Sequence, residues 1–354
     1  MPAIRTYRTF ELPRRLRAFM RFEAGVGRGW PVDEVKQIED LKRRLAQAEK
    51  RLSRREAQLD ALRQRPANRA QPHHAHLMAE DSVIDPADLI WIFGTARSGS
   101  TWLSAMMGAL DNNVEWREPY VGALFGSFYY EGTFSRLRVR EQTILNYHHK
   151  DAWLNSIRNF VLDGVAARYP KIANQGYLVV KEPNGSVGAP LLMEALPESR
   201  MILLVRDPRD VVASVLDAAT TPGSWGGGGR AYNGDPNDLV RQRSNLYLRA
   251  VGNSKQAYEL HKGPKAFVKY ENLRADTVGV LEQICSALEV QVSSKEIART
   301  VKEHSWENIP EEKKGQGKFY RKGTPGSWRE DLSLEQIDIV EEITAPLLEE
   351  YYPG

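Results

Sequence analysis

The sequence predicts an α/β fold, a mainly parallel sheet flanked by helices, with a P-loop-like segment after the first strand and a helical, coiled-coil extension ahead of it. Three observations predict this. Apolar runs at Leu89–Phe93, Tyr177–Val180, Met201–Val205 and Ala266–Val268 alternate with stretches of helical period, the pattern of strands buried on both faces. The chemically versatile residues follow directly on those runs: Gly94–Thr101, Lys181–Pro183, Arg206–Arg209 and Tyr270–Asn272. Open parallel sheets bind ligands at that end of their strands. Ahead of all this, apolar residues recur at steps of three and four over residues 34–65.

Four regions follow along the chain. Residues 1–33 form a basic segment. Leu12, Leu16, Phe19 and Met20 fall on one side of a helix, with Arg14, Arg15, Arg17 and Arg21 around it. Such a helix either lies on an anionic membrane as a peripheral contact through residues 1–30, or packs on the body or a partner. In residues 34–65 the seam is Ile38, Leu41, Leu45, Ala48, Leu52, Leu59 and Leu62, broken at Arg55. At 1.5 Å per residue this is roughly 37 Å of helix, suited to a short homodimeric coiled coil or to packing on its own body. Residues 66–85 read as a linker with Pro66 and Pro72; His73, His74 and His76 there are not expected to form a metal site. Residues 86–354 are the catalytic body. Within it Gly226–Gly229 form a connector or a mobile loop.

Composition narrows the function classes. Residues 1–75 hold 18 of the 49 Lys and Arg and 9 of the 46 Asp and Glu, a balance of +9, and the remainder stands at −6. The basic character therefore belongs to the N-terminal segment, and no nucleic-acid partner is expected for the body. No apolar run approaches the roughly 18 residues of a membrane span. Cys285 is the single cysteine, at helical spacing with Leu281, Ile284 and Leu288. It reads as a buried structural thiol, and a cytoplasmic setting is expected.

Three segments carry the chemistry. From Gly94 to Thr101 the spacing is that of a P-loop, G-x-x-x-x-G-K-[ST], except that Ser100 replaces the lysine. Arg97 is the loop's cation. Strand, glycine loop and helix start together bind phosphate, but the missing lysine argues against an ordinary ATPase or kinase. In the second segment Arg206 leaves a strand, Pro208 suits a helix start, and Ser214 lies one to two turns inside that helix. An arginine and a hydroxyl so placed can grip a second phosphate. In the third, Arg321 and Lys322 precede Gly323, Pro325 and Gly326, so the backbone can wrap an anion. Together they describe a nucleotide with phosphates at two places.

These segments resemble those of sulfotransferases that use 3′-phosphoadenosine 5′-phosphosulfate (PAPS). Arg97-Ser-Gly-Ser-Thr-Trp102 is similar to the family's phosphosulfate-binding loop, commonly Lys-Ser-Gly-Thr-Thr-Trp. Arg206 with Ser214 matches its 3′-phosphate motif, Arg321 to Trp328 its Arg-Lys-Gly-x-x-Gly-x-Trp segment, and Tyr270-Glu271 its Tyr-Glu pair. The resemblance covers roughly residues 88–335 and implies a sulfotransferase moving a sulfuryl group to a hydroxyl acceptor (a carbohydrate, glycolipid or other small molecule), with no metal. It implies that Ser98, Gly99, Ser100 and Thr101 bind the 5′-phosphosulfate. Arg97 then steadies the bridging oxygen, Trp102 stacks on adenine, Tyr270 helps hold it, and Arg206, Ser214, Arg321, Lys322 and Gly323 bind the 3′-phosphate. Cytosolic members take their base from Lys-Thr-His; this chain reads Lys181-Glu-Pro183, closer to the Lys-Asp-Pro of tyrosylprotein sulfotransferases. In that branch the base is a glutamate shortly after the first helix. Glu118, of Trp116-Arg-Glu-Pro119, is thus the expected base, with a pKa raised by burial, and Glu182 is second choice. Lys181 is expected to stabilise the transferring group. His148 and His149 are expected to be structural. The acceptor pocket is expected among residues 119–150 and 219–237, with most of Phe125, Phe128, Tyr129, Tyr130, Trp153 and Trp225 in the core. The alternative to an enzyme is a catalytically weak nucleotide-binding scaffold assembling through residues 34–65.

Overall fold

The computed structural model describes residues 84–130, 136, 138–170, 172, 176–224 and 231–353, all within a unit running from Glu80 to Gly354. The expectations for residues 1–83, Trp225 and Gly226–Gly229 fall outside the described residues.

Five strands make one sheet: β1 (Leu89–Gly94), β2 (Val114–Arg117), β3 (Leu178–Lys181), β4 (Arg200–Val205) and β5 (Lys265–Lys269). Their order is β2-β3-β1-β4-β5 and every pairing is parallel. The helices in chain order are α1 (Ser100–Gly108), α2 (Val121–Tyr130), α3 (Lys150–Arg168), α4 (Ala189–Ala195), α5 (Pro208–Thr220), α6 (Pro236–Leu260), α7 (Tyr270–Ala275), α8 (Thr277–Ala287), α9 (Ser294–Glu303), α10 (Trp328–Asp331) and α11 (Leu334–Tyr351).

Strand alternation divides the core. Leu89, Trp91 and Phe93 of β1 point to one face, against Ile157, Val161 and Val165 of α3 and Leu191 of α4. Ile90 and Ile92 point to the other, against Leu103 and Met107 of α1 and Leu281 and Ile284 of α8. Each such fully buried side chain contributes about 1.5–3 kcal/mol. Being apolar on both faces is why the central strands read as unbroken apolar runs. Cys285 belongs to the second cluster, and burial pushes its thiol up to about 11, as a structural residue requires. Tyr129 and Trp153 are in the first cluster, with Phe125 and Tyr130 packed against it.

The expected strands are all present. β2 is an addition. Its sequence, Val-Glu-Trp-Arg, lacks an apolar run because it is a half-exposed edge strand. It pairs Arg117 with Lys181, so the chain leaving β2 lies beside the end of β3, where Glu118 N donates to Lys181 O at 2.8 Å. β1 is central, with β3 and β4 on either side, so the loops after all three open at one end of the sheet.

The loop after β2 is fixed by close helix packing. Helix α2 lies against the 3-10 segment Pro183–Gly188 through Gly122 and Gly126. A Cβ on Gly122 would stand 2.1 Å from the Gly185 carbonyl oxygen. Gly122→Ala is therefore expected to destabilise the protein by about 1–3 kcal/mol, read as a lower urea midpoint at unchanged m-value.

Candidate functional site

The loop after β1 owes its shape to two left-handed residues, Arg97 (φ 70°) and Gly99 (φ 93°). Gly99 is also pressed on Tyr270, where a Cβ would meet the ring at 2.5 Å. Gly99 is the N-cap of α1 and offers no side-chain cap, so the first-turn N–H groups of Ser100 and Thr101 remain directed out of the helix start. Ser98 turns inward instead. Its hydroxyl donates to Thr95 O at 2.7 Å and its N–H to the same oxygen at 3.3 Å.

A cavity of about 510 Å³ opens over this loop. Every site residue expected from the sequence lies on its wall except Ser98 and the second-choice base Glu182; both are fully buried, and Ser98 shapes the turn. His148 and His149 are exposed and elsewhere. Among the described residues, no group of three or more His, Cys, Asp or Glu side chains is arranged to hold a metal ion.

At one end of the cavity stands Lys181, from the end of β3. Its ammonium donates to Thr101 Oγ1 at 3.0 Å and to Glu118 Oε1 in a part-buried ion pair. Glu118 Oε2 also accepts from Asn184 Nδ2 at 2.9 Å and from the Tyr120 hydroxyl at 3.1 Å. Burial pushes the Glu118 carboxyl up, but the hydrogen bonds from Lys181, Tyr120 and Asn184 outweigh it and hold the group below its ordinary value. The expected raised pKa is thus reversed, because Lys181 sits on the carboxylate. Burial instead raises Glu182, to about 7. Glu182 is fully buried, and its two oxygens accept from Tyr120 N at 3.0 Å and Gly122 N at 3.1 Å. It is absent from the cavity wall, so its carboxylate holds the loop that carries Glu118, which takes left-handed φ values at both Glu118 (49°) and Tyr120 (60°).

The other end is cationic. Arg206 leaves β4 and α5 begins at Pro208 behind the N-cap Asp207, as expected. Arg206 donates to Arg97 O at 3.1 Å and pairs with the buried Asp210 at 3.7 Å, while its Nε is buried without a partner. The Arg97 guanidinium donates to Ser214 Oγ at 3.0 Å and Phe319 O at 2.6 Å. Burial, then the charges of Arg206 and Arg321, bring it down to about 10. Arg97 therefore faces the arginine cluster at Ser214. Arg321 and Lys322 reach the wall from the C-terminal loop, and both pair with Asp331. That loop is tied down by Asp210, which accepts from Gly326 N at 2.8 Å and Trp328 N at 3.0 Å.

Between the ends the wall is aromatic. Trp102 meets Tyr270 edge to face and donates from Nε1 to His304 O at 2.8 Å. Tyr270 OH donates to Gly323 O at 3.0 Å. Trp306 and Arg274 complete this part, with Arg274 over the Trp102 ring. Sequence reasoning missed Trp306, Arg274, Arg243, Asn184 and Asp210. Asp210 lies inside the segment from Arg206 to Ser214 and Asn184 directly follows Lys181–Pro183; the other three belong to no local pattern.

The family model of the sulfotransferase family matches residues 88–294, more than half of the chain. The chain belongs to the sulfotransferase family. No curated protein matches it in sequence. Solved structures similar to this sulfotransferase chain include mouse sulfotransferase SULT7A1 complexed with PAP, at 15% identity over 76% of this chain and 86% of that chain, TM-score 0.49. A retinol dehydratase in complex with androsterone and inactive cofactor PAP shares 18% identity over 75% and 82%, TM-score 0.47. Sulfotransferase STF1 from Mycobacterium tuberculosis H37Rv shares 15% over 77% and 80%, TM-score 0.46. Arg321–Gly323 lies beyond the sulfotransferase family match, yet the fold returns it to the cavity wall.

Two outcomes are expected. Asp210→Ala strips the C-terminal loop of its acceptor and leaves Arg206 without its buried counter-charge, a loss of about 3 kcal/mol or more in denaturant unfolding. Glu182, whose folded pKa exceeds its unfolded value, binds its proton first in the folded state and so adds stability as the pH falls from about 7 to 4.5. Gln at this position lacks that gain. The stability deficit of Glu182→Gln should therefore widen as the pH is lowered from about 7.5 to 5, measured by urea titrations at each pH.

Proposed function

We propose that this chain moves a sulfuryl group from PAPS to a hydroxyl acceptor by in-line displacement. The observation that carries the reading is one cavity with an anion site at each end: the start of α1 with Lys181, and the cluster of Arg206, Arg97, Arg321 and Lys322 around Ser214. The buried, unpartnered Arg206 Nε is the kind of donor a bound phosphate would satisfy. Trp102, Tyr270 and Trp306 form walls suited to a planar base between two anions. ATP lacks a 3′-phosphate and would leave the arginine cluster unmatched.

PAPS, when bound, supplies an activated sulfuryl group. The N–H groups of Gly99, Ser100 and Thr101 hold its 5′ end, while Ser98 keeps their loop in shape. Arg206, Ser214, Arg321, Lys322 and Gly323 hold its 3′-phosphate. Arg97 is assigned to that side as well, since its guanidinium is bonded to Ser214 and Phe319; steadying the bridging oxygen passes to Lys181. Glu118 is the base. A carboxylate accepts about four hydrogen bonds, and Lys181, Asn184 and Tyr120 use three. The acceptor hydroxyl takes the fourth place. As Lys181 turns onto the sulfuryl oxygens, Glu118 loses the charge that depresses it and becomes the stronger base.

The depressed Glu118 also gives the second reading its support: a nucleotide-binding scaffold that transfers slowly. Purified protein with labelled PAPS and a panel of hydroxyl acceptors separates the two. Glu118→Gln is expected to lower kcat by roughly 10²- to 10⁴-fold with PAP affinity retained, and Arg206→Ala to weaken PAP binding by roughly tenfold or more. Tight PAP binding without transfer to any acceptor would establish the scaffold, and transfer surviving Glu118→Gln would remove the base. Because Glu118 lies below its ordinary value, it stays ionised as the pH falls, so kcat/KM should show no acid limb from Glu118 between about pH 8 and 5.

Three features beyond the catalytic body belong to this proposal. The heptad seam of residues 34–65 supports a homodimer, tested by sedimentation of the full chain with Leu41, Leu45 and Leu52 changed to Asp. The basic amphipathic pattern of residues 1–30 supports a peripheral membrane contact. The lone, buried Cys285 supports a cytoplasmic setting.

A further inference from the structure

The donor site accounts for Lys181, Arg97, Arg206, Arg321 and Lys322. Two arginines on the same wall stand outside it, Arg274, which lies over the Trp102 ring, and Arg243. Arg243 reaches the cavity from the middle of α6, on no motif segment. Its Nε is buried without a partner, and among the described residues its guanidinium has no hydrogen bond or ion pair. Each of those five donor-site cations has a partner, and Arg274 lies over Trp102. A half-buried cation without a partner is costly, so its counter-charge arrives with a ligand.

The surroundings of Arg243 say which ligand. Past Ser214, the wall continues along α5 through Val215, Ala218 and Ala219, away from the loop after β1. A second cavity of about 130 Å³ adjoins the first, sharing Ala96, Pro183 and Asn184 with it. It is lined from α6, the helix of Arg243, by Leu246, Ala250 and Asn253. Asn184, common to both cavities, donates to Glu118. The two cavities thus form a groove that meets the base at Asn184 and reaches α6 at Arg243 and at Leu246–Asn253, and Arg243 to Asn253 spans ten residues, roughly 15 Å. A hydroxyl presented to Glu118 leaves the rest of its molecule along this groove.

We infer that Arg243 selects the acceptor, which is a hydroxyl compound carrying an anionic group, a carboxylate or a phosphate, paired with the Arg243 guanidinium. The inference rests on the sulfotransferase reading and adds the acceptor's charge to it. A guanidinium fork suits either anion.

The test uses the full chain with labelled PAPS and matched acceptors: p-nitrophenyl β-D-glucuronide against the glucoside for carboxylate, and glucose 6-phosphate against glucose for phosphate. Wild type is expected to favour the anionic member of at least one pair by on the order of 10- to 100-fold in kcat/KM. Whichever pair shows it identifies the anion. Arg243→Gln is expected to bring that ratio near one, and Arg243→Lys to keep part of it, with PAP affinity within about twofold of wild type in both. Equal use of both members of each pair, or no transfer to either anionic acceptor, overturns the inference while PAP still binds. Loss of PAP affinity in Arg243→Gln overturns it too, by placing Arg243 in the donor site. Failure of wild type to bind PAP brings down the sulfotransferase reading itself.

Discussion

The buried carboxylate of Asp210 is the constraint on which the rest of the site depends. It lies where Arg206, the start of α5 and the C-terminal loop converge. Burial, with the neighbouring charges of Arg206 and Arg321 added to it, brings Arg97 down to about 10. Such a cluster stands open before a ligand arrives only if it is pinned from behind. Asp210 does this with charge toward Arg206 and with hydrogen bonds toward Gly326 and Trp328, which set Arg321 and Lys322 on the wall. Asp331 repeats the device further along the loop by pairing with both. The counter-ions lie behind the cations, and the cavity side is left to the anion.

Much of this was legible in the sequence because the information is local. A parallel strand buried on both faces is apolar throughout, so β1 and β4 announce themselves, and a glycine loop followed by a helix start has a fixed spacing. β2 was not legible, since an edge strand with one wetted face has no such run. The environment of Glu118 was hidden for a related reason. Its position after β2 could be read, but the pairing of Arg117 with Lys181 that puts a cation on its carboxylate is a matter of register between strands distant in sequence. Ser98 shows the converse. It sits within the motif yet spends both donors on Thr95, so the match of residue type overstated its part in binding. Arg243 belongs to no motif and is visible only once α6 is laid along the cavity.

The chain between β2 and α2 carries the Glu118 carboxylate in a conformation that L-residues other than glycine rarely take. Two left-handed positions one residue apart cost on the order of 1–3 kcal/mol each. Glu182 offsets this by accepting the two backbone N–H groups that the turn leaves inside the protein. The two neighbouring glutamates thus divide the work. Glu118 keeps a part-exposed carboxylate bonded to side chains, as the proposed proton acceptor needs. Glu182 keeps a fully buried one bonded to main chain, as a scaffold needs.

The hydrogen bond from Arg97 to the Phe319 carbonyl joins residues 222 positions apart. Synthesis proceeds from the N-terminus, so the sheet strands, the glycine loop and α5 all leave the ribosome well before Phe319, Arg321 and Gly323. Contacts of such long sequence separation are formed against a large loop-closure entropy. The sheet can therefore assemble while its anion site is still missing one wall. A nascent chain stalled anywhere up to Phe319 holds the loop after β1 but not the wall that Arg321–Gly323 supply. On the proposed function, nucleotide capture comes only after synthesis has passed the C-terminal loop.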